Sequence, residues 1–444
     1  MNMASIPNSG VTLAEATRTF ARIGLLSFGG PAGQIALMHR ILVDEKRWLD
    51  EARFLHALNY CMLLPGPEAM QLATYAGWLL HGVRGGLIAG LLFVLPGAVV
   101  ITALSAIYLF LGDVPLIHGL LFGLKAAVLA IVLEALVKVS KRALKDWTMA
   151  VIAVAAFIAI ALLKLPFPLI VIGAALIGAL IHFAEQNGRA GEAVSSQSEL
   201  PLPEWAKPNA RRLLSTLAVW LTIWFGPLVV LNVAFGGDHV FAAEALFFSK
   251  MAAVTFGGAY AVLSYVGQQA VEVYRWLRPD EMLAGLGLAE TTPGPLILVL
   301  VFVGFLGGAR QSGFDPLAGG IAGALVTLWF TFVPCFLWIF VGAPYVERVR
   351  SVRWLATALA AVTAAVVGII ANLALWFGLH VLFAEVGATT IGPLTVPVLD
   401  LATFDFTAGA IAFLAAIALL RFHVNMIIVL GVAVVAGAAL YGIR

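Results

Sequence analysis

The chain has 444 residues, of which 62% are apolar and 11% are charged, and its formal net charge is +2. Soluble domains carry roughly 25% charged residues, so this composition and a mean hydropathy of +1.01 exclude a soluble globular protein. The small net charge gives no indication of a nucleic-acid partner. Several apolar runs reach the ~20 residues that a helix needs to cross a bilayer, and no alternating pattern favours a barrel. The sequence therefore predicts an all-α integral membrane protein, a polytopic helical bundle embedded in the lipid bilayer.

The first half of the chain is expected to span residues 1–184. Its opening residues lack the basic start and apolar core of a cleaved signal peptide. Apolar segments are predicted at residues 13–37, 54–80, 87–110, 116–137, 149–163 and 167–183. The first segment is interrupted at 28–31 and the second at 65–67, and a glycine-rich hinge at 81–86 precedes the third. The pattern therefore favours broken or re-entrant helices near the start of this half.

A polar linker, rich in Ser, Glu, Gly and Pro, is expected at residues 185–212. An additional span follows at 213–240 and has no counterpart in the first half. The second half is expected at 241–444. Its apolar segments lie at residues 241–266, 283–306, 317–341, 355–383, 406–420 and 424–441.

The two halves repeat the same short motifs. The repeated motifs, each recurring 228 positions later, are Ser27-Phe28-Gly29-Gly30 with Thr255-Phe256-Gly257-Gly258, Arg47-Trp48-Leu49 with Arg275-Trp276-Leu277, and Pro65-Gly66-Pro67 with Pro293-Gly294-Pro295. The offset then becomes 238 residues, so that Pro96 corresponds to Pro334. This spacing predicts two homologous halves.

The single extra span between the halves would turn the second half upside down in the membrane. Basic residues prefer the cytoplasmic side, and their positions reverse between equivalent loops. In the first half the basic cluster at 138–145 follows the fourth segment. In the second half the basic cluster at 348–353 precedes the fourth segment, and the loop after that segment, 378–400, has no basic residue. The pattern predicts inverted halves, with the N-terminus and linker cytoplasmic and the C-terminus periplasmic.

Proline suits the first turn of a helix, because it has no N–H to lose. The two Pro-Gly-Pro motifs therefore indicate the starts of half-helices, whose free N–H groups and positive dipole ends face a polar site. Two such ends could hold a tetrahedral dianion. The competing interpretations are a pair of proline kinks packed against neighbouring helices and, for the Phe-Gly-Gly motifs, glycines that only allow close helix packing.

Charged residues inside apolar segments are the other candidates, since they are costly there without a partner or ligand. Arg22 and Lys250 are equivalent in the repeat, and we expect them to bind an anionic substrate unless they reach the membrane surface or form ion pairs. Glu68 and Glu290 are not related by the repeat, which suits either a proton-coupling role or a buried ion pair. Gln34, Asn59 and Gln71 could add neutral hydrogen bonds to an oxyanion.

Other kinds of chemistry find no support in the sequence. Cys61 and Cys335 lie in apolar surroundings and are interpreted as packing residues. The histidines lack metal-binding spacing, and the glycines lack the Lys-Ser or Lys-Thr of a phosphate-binding loop. No metal and no cofactor are therefore expected. Lys125 and Glu134 lie on one helix but too far apart to pair, and a structural role is expected for both.

The run at 248–258, Phe-Ser-Lys-Met-Ala-Ala-Val-Thr-Phe-Gly-Gly, its partner at 20–30 and the Pro-Gly-Pro pair resemble the chromate ion transporter family in its long, fused form. The resemblance covers nearly the whole chain. It implies an inner-membrane carrier that exports chromate from the cytoplasm and confers resistance, with sulfate as a chemically similar competitor. The implied partner is a chromate- or sulfate-type dianion, and a homodimer is left open. Uptake or exchange of sulfate or another oxyanion is the alternative, and an anion channel or a membrane-embedded enzyme is the alternative from another class.

Overall fold

The structure, a computed structural model, describes residues 10–28, 30–112, 114–186, 209–256, 259–345, 353–392 and 394–441. Helices dominate these ranges, and six of them are long and apolar enough to cross a membrane. The all-α, polytopic membrane class predicted from the sequence is confirmed.

The helices of the first half follow the predicted segments, including their interruptions. They are α1 (Leu13–Leu26), α2 (Gly30–His39), α3 (Glu51–Cys61), α4 (Glu68–Leu111), α5 (Pro115–Ala143), α6 (Trp147–Ala161) and α7 (Phe167–Gln186). The predicted hinge appears inside α4, where the backbone of His81 and Gly82 leaves helical geometry and separates two helical pieces.

The additional span is α8 (Ala210–Phe235). The helices of the second half are α9 (Val240–Val254), α10 (Ala259–Gln268), α11 (Pro279–Thr291), α12 (Val299–Gln311), α13 (Pro316–Gly342), α14 (Arg353–Leu382), α15 (Phe406–Leu420) and α16 (Met426–Tyr441). A short 3-10 turn, Leu296–Leu298, precedes α12.

The sequence repeat is reproduced in the local backbone. A short π-helical turn follows both α2 and α10, at Arg40–Glu45 and Gln269–Val273. Arg47 and Arg275 then adopt positive φ angles of 53° and 54°. The next residue folds back in both copies, since the Trp48 amide donates to the Leu42 carbonyl at 2.9 Å and the Trp276 amide donates to the Ala270 carbonyl at 2.8 Å. The similarity of these two repeated segments therefore extends to individual backbone hydrogen bonds.

A β-hairpin is the element that sequence reasoning missed. Strands β1 (Val386–Ile391) and β2 (Leu394–Leu399) pair antiparallel, with Val386 opposite Leu399. α14 ends at Leu382, close to the predicted end of the segment 355–383, and the expected loop that follows it contains this hairpin. Its Val, Thr and Ile residues around Gly392 are a strand-turn-strand signal that the surrounding helical pattern hid.

The chain divides into two compact units. The first comprises Met1–Thr102, Arg189–Phe256 and Thr292–Arg353, and the second comprises Ala103–Gly188, Gly257–Thr291 and Trp354–Arg444. Each unit therefore draws segments from both sequence halves.

In the first unit, α12 and α13 form a tight hairpin that packs against α9, and α8 packs on α9 and α13. Glycines make the close approach possible, because a Cβ added to Gly308 would collide with the Gly319 carbonyl and one added to Gly323 would collide with the Gly304 carbonyl. Small residues at helix contacts are the usual means of tight packing in membranes.

In the second unit, α5 is the central helix and packs against α11, α15 and α16. Gly123 of α5 and Gly437 of α16 touch through their backbones. Lys125, on α5, forms an ion pair with Asp280 at the start of α11, with 3.0 Å between Nζ and Oδ2. Glu134 pairs with Lys138 one turn further along α5, at 2.7 Å. Both residues are thus held in ion pairs, and Lys125 and Glu134 do not pair with each other.

Candidate functional site

The helix breaks after α1 and α9 have the same geometry. Ser27 and Thr255 cap the two helices with φ and ψ of −78° and 77° and of −77° and 79°. Both side chains are buried, and their hydroxyls donate to carbonyls one turn back in their own helices, Ile23 and Met251. Because each helix ends at its break, the backbone carbonyls of Ser27 and Thr255 have no N–H partner further along the same helix and can accept a bond from another segment.

That bond comes from the Pro-Gly-Pro turn of the other sequence half. The Gly66 amide donates to the Thr255 carbonyl at 2.8 Å, and the Gly294 amide donates to the Ser27 carbonyl at 2.8 Å. All four residues belong to the first compact unit and all are buried. Such an exchange of equivalent contacts is what a local two-fold relation between two copies produces.

Glycine is required at the centre of both turns. Gly66 and Gly294 have φ angles of +120° and +91°, a region that residues with a Cβ rarely adopt. A Cβ at Gly66 would also lie 2.8 Å from the Cys335 sulfur and 2.9 Å from Nε2 of Gln71. The turn has no room for a side chain.

The proline-containing helices α4 and α13 also pack against the two turns, each against the turn of the other sequence half. Gly97, which follows Pro96 in α4, lies so close to the Pro293 carbonyl that a Cβ there would collide with it. Cys335, which follows Pro334 in α13, packs its sulfur against Gly66. Each of these helices, next to prolines that the repeat predicts to be equivalent, thus packs against the Pro-Gly-Pro turn of the other half.

Two glutamines add polar groups to this cluster. Gln34 donates Nε2 to the Gly294 carbonyl at 2.6 Å, and Gln71 donates Nε2 to the Pro65 carbonyl at 2.8 Å. Both side chains are at most 1% exposed. Within the described residues, neither Oε1 atom has a hydrogen-bond partner. Unpaired buried polar atoms are uncommon in folded proteins, so the surroundings of these turns are polar and incompletely satisfied by the protein itself.

The turns also lead directly into helix starts. α4 begins at Glu68, and the 3-10 turn before α12 begins at Leu296, each immediately after its Pro-Gly-Pro motif. First-turn N–H groups have no carbonyl partner within their own helix, and the helix dipole gives these ends partial positive charge. The first of these ends already has the half-buried Glu68 carboxyl in its first turn.

The predicted cations lie apart from the buried turns. Arg22 is exposed, and its Nη1 lies 3.4 Å from Oε2 of Glu45. Lys250 is also exposed, on α9 one turn before the Thr255 break. Phe28 and Phe256 are half-buried beside the breaks. Three further members of the predicted site, Gly29, Gly257 and Gly258, lie outside the described residues.

Glu290, the second predicted coupling residue, lies near the end of α11 in the second unit. It is 3% exposed, and the Tyr260 hydroxyl donates to its Oε1 at 2.6 Å. Glu290 is therefore more deeply buried than the half-buried Glu68.

Sequence reasoning did not identify the buried acid Glu244 on α9. Its side chain is fully buried, and within the described residues neither carboxyl oxygen has a hydrogen-bond partner. The signal was available, because Glu244 is a charged residue inside the apolar segment 241–266.

Comparison with known proteins identifies the family. A model of the chromate transporter family matches residues 14–179 and 243–441, which include both Phe-Gly-Gly and both Pro-Gly-Pro motifs. The chain belongs to the chromate transporter family. Membership of this family indicates transport rather than catalysis and agrees with the multi-pass helical architecture.

Relatives of this chromate transporter family member include a chromate transport protein of Pseudomonas aeruginosa, 32% identical over 79% of this chain and 77% of the relative. A chromate transport protein of Cupriavidus metallidurans is 27% identical over 81% of each chain. A probable chromate transport protein of Synechococcus elongatus is 27% identical over 81% of this chain and 83% of its own length. No solved structure matches the chain.

Proposed function

We propose that this protein is a secondary transporter that exports chromate from the cytoplasm across the bacterial inner membrane and thereby confers chromate resistance. Its membership of the chromate transporter family and the names of its relatives support the substrate. The substrate class is a tetrahedral oxyanion, so sulfate is the expected competitor.

The observation on which the proposal depends is the reciprocal bonding of the two Pro-Gly-Pro turns, Gly66 to Thr255 and Gly294 to Ser27. Each turn joins a broken helix of one sequence half to a helix start of the other. Broken helices inside a membrane are tolerated where they surround a cavity or a bound ligand. In the proposal, the helix starts after Pro67 and Pro295 provide the N–H groups that face the oxyanion.

Arg22 and Lys250 have a second role in the proposal. Both are exposed beside the broken helices, where they would attract the dianion and pass it to the buried turns. Arg22 would then release Glu45 and bind substrate instead. This exchange is favoured because the Arg22–Glu45 ion pair is exposed and its atoms are 3.4 Å apart, and exposed ion pairs contribute little stability.

Export of a dianion from a negative-inside cell needs no other energy source, because the membrane potential favours it by about 2.3 kcal/mol per charge per 100 mV. The opposite movement, oxyanion uptake, would have to work against this gradient. The proposed inverted arrangement of the halves would let the turns face either side of the membrane in alternation. In this proposed arrangement the N-terminus and the linker lie in the cytoplasm and the C-terminus lies in the periplasm.

The test is flux in membrane vesicles of defined orientation, with labelled chromate and labelled sulfate. Inside-out vesicles containing the protein should accumulate chromate in a saturable way when the lumen is made positive, and unlabelled sulfate should compete. Flux that does not saturate would instead indicate a channel. Absence of chromate flux in both orientations would contradict the proposed function.

A further inference from the structure

Glu244 lies at a contact between three helices of the first unit. It projects from α9 towards the glycine-rich contact of α12 and α13, where a Cβ at Gly323 would lie 3.2 Å from its Oε2. The Thr327 hydroxyl borders the same contact, against Gly304. The carboxyl is therefore held where two helices approach through their backbones.

The polar atoms at this contact have no partners among the described residues. Both carboxyl oxygens of Glu244 and the hydroxyl oxygens of Thr327 and Thr331 are buried without a hydrogen bond. A structural carboxyl in a core normally accepts several bonds. Here two acceptors and two hydroxyls are left unused on facing helices.

No cation faces Glu244 from the helices packed against α9. The stretches 213–235 of α8, 299–309 of α12 and 316–342 of α13 contain no Lys, Arg, His, Asp or Glu. Among the described residues of these helices and their ends, the charged or titratable groups are Arg211 and Arg212 in the first turn of α8, Asp238 and His239 before α9, Arg310, the helix cap Asp315, and the Cys335 thiol, which packs against Gly66. Arg212 and Arg310 have interactions of their own, and Nε2 of His239 lies 3.3 Å from the Ser312 carbonyl. On α9 itself, Lys250 is exposed. An ionised carboxylate in these surroundings would be a buried, uncompensated charge, which proteins avoid.

Helix packing does not require an acid at this position. The equivalent residue of the first half is Ala16, which is buried on α1 at 3% exposure. The same place in the repeat is therefore filled by a methyl group in one copy and by a carboxyl in the other. The asymmetry indicates a role that only one half performs.

We propose that Glu244 is a proton-binding site that couples one proton to substrate transport. In the packed arrangement the carboxyl is protonated, and the proton takes the place of the missing cation. When α9 separates from α13 and water reaches the carboxyl, the proton leaves and the carboxylate is stable only in that opened arrangement. α9 is capped by Thr255, whose carbonyl accepts the bond from Gly66, so movement of this one helix connects the proton site to the proposed oxyanion site. This inference depends on the proposed transport function.

The experiment uses the full-length protein in liposomes that contain a pH-sensitive dye, with the potential clamped and chromate supplied on one side. Wild type should move protons together with chromate. Glu244→Gln, which has the same shape but cannot release a proton, should lower the proton-to-chromate ratio at least about tenfold while chromate flux driven by the potential continues. Glu385→Gln, at an exposed carboxyl before the hairpin, is the matched control and should leave the ratio unchanged.

A second readout does not depend on transport. Infrared difference spectra between acid and alkaline buffer should contain a protonated carboxyl band that is absent in Glu244→Gln and present in Glu385→Gln. Glu244→Ala, which copies the first half at Ala16, should fold and lose the band in the same way.

Several outcomes would overturn the proposal. Equal proton movement in wild type and Glu244→Gln would do so, as would proton-free chromate flux in wild type, and both would leave the proposed transport function intact. Chromate flux that requires sodium in wild type, where choline cannot replace it, but not in Glu244→Gln would assign Glu244 to a metal ion instead. Absence of any chromate flux in wild type would instead contradict the proposed function, and the infrared band would still report whether Glu244 binds a proton.

Discussion

Gly66 donates its backbone N–H to the carbonyl of Thr255 at 2.8 Å, which joins a turn of the first sequence half to a helix break of the second. The equivalent bond, from Gly294 to Ser27, has the same length. Neither bond depends on a side chain, so substitutions must disturb the backbone to test the site.

Gly66→Ala and Gly294→Ala should each disable transport. A residue with a Cβ in this backbone region costs about 1–3 kcal/mol, and tenfold in rate corresponds to about 1.4 kcal/mol. We therefore expect chromate flux in vesicles to fall by about tenfold or more in each variant.

The control for the turn substitutions is Gly226→Ala, in α8 of the same unit. A Cβ at Gly226 would meet nothing within 4 Å, and its φ is ordinary. Flux through this variant should equal that of wild type. Normal flux in both turn variants would show that the turns tolerate strain and that the site lies elsewhere.

Gln34→Leu should destabilise the turn at Gly294 through the loss of a side-chain hydrogen bond. The substitution removes the donor that reaches the Gly294 carbonyl at 2.6 Å, and an unsatisfied buried carbonyl costs about 1–3 kcal/mol. The purified variant should unfold at a lower temperature in detergent and transport less chromate. Asn232→Leu, an exposed amide that bonds only within α8, should change neither quantity.

Arg22→Gln and Lys250→Gln test the two predicted cations. If Arg22 contacts substrate, losing a hydrogen bond to a charged group costs about 1.5–3 kcal/mol, and the KM for chromate should rise at least about tenfold. Glu45→Gln separates this role from the ion pair, since it frees Arg22 and should not raise KM. An equal loss in Arg22→Gln and Glu45→Gln would show that only their pairing matters. Normal transport by both cation variants would remove Arg22 and Lys250 from the site.

Topology can be measured with reporters. A reporter fused after Arg444 should be periplasmic, and one inserted in the linker at 185–212 should be cytoplasmic, because the basic clusters of the two halves lie at opposite ends of equivalent helices. Cytoplasmic signals from both the C-terminal and the linker reporter would contradict the inverted arrangement.

The Lys125–Asp280 pair predicts a pH dependence of stability in the second unit. Burial tends to raise the pKa of Asp280, but the Lys125 ammonium at 3.0 Å, with Arg278 nearby, outweighs it and holds that pKa below its ordinary value. A carboxyl with a depressed pKa contributes stability at neutral pH, and the contribution is lost as the pH falls through the folded-state value. Asp280→Asn should therefore lower the melting temperature at neutral pH, and its difference from wild type should shrink in acid. A difference independent of pH would assign the effect to packing.

Much of the local structure was predictable from the sequence. The segment 406–420 forms α15 with the predicted bounds, because its apolar run is framed by the helix cap Asp405 and the charged Arg421. The breaks at Phe28 and Gly66 were predicted because glycine and proline act on the backbone of their own neighbourhood. The hairpin at 386–399 was missed, since its strand signal is short and lies between long helical patterns.

Sequence alone determined the membrane class, the repeat and the family, because composition, spacing and motif identity are properties of the chain read in order. Only the tertiary structure decided that Gly66 bonds to Thr255 rather than to its own half, and that the buried Glu244 carboxyl has no hydrogen-bond partner in the described part of the chain. Both facts depend on which segments, distant in sequence, come into contact, and a hydropathy pattern does not contain that information. A buried acid and an exposed one have the same letter in the sequence, and only the packing around Glu244 distinguishes them.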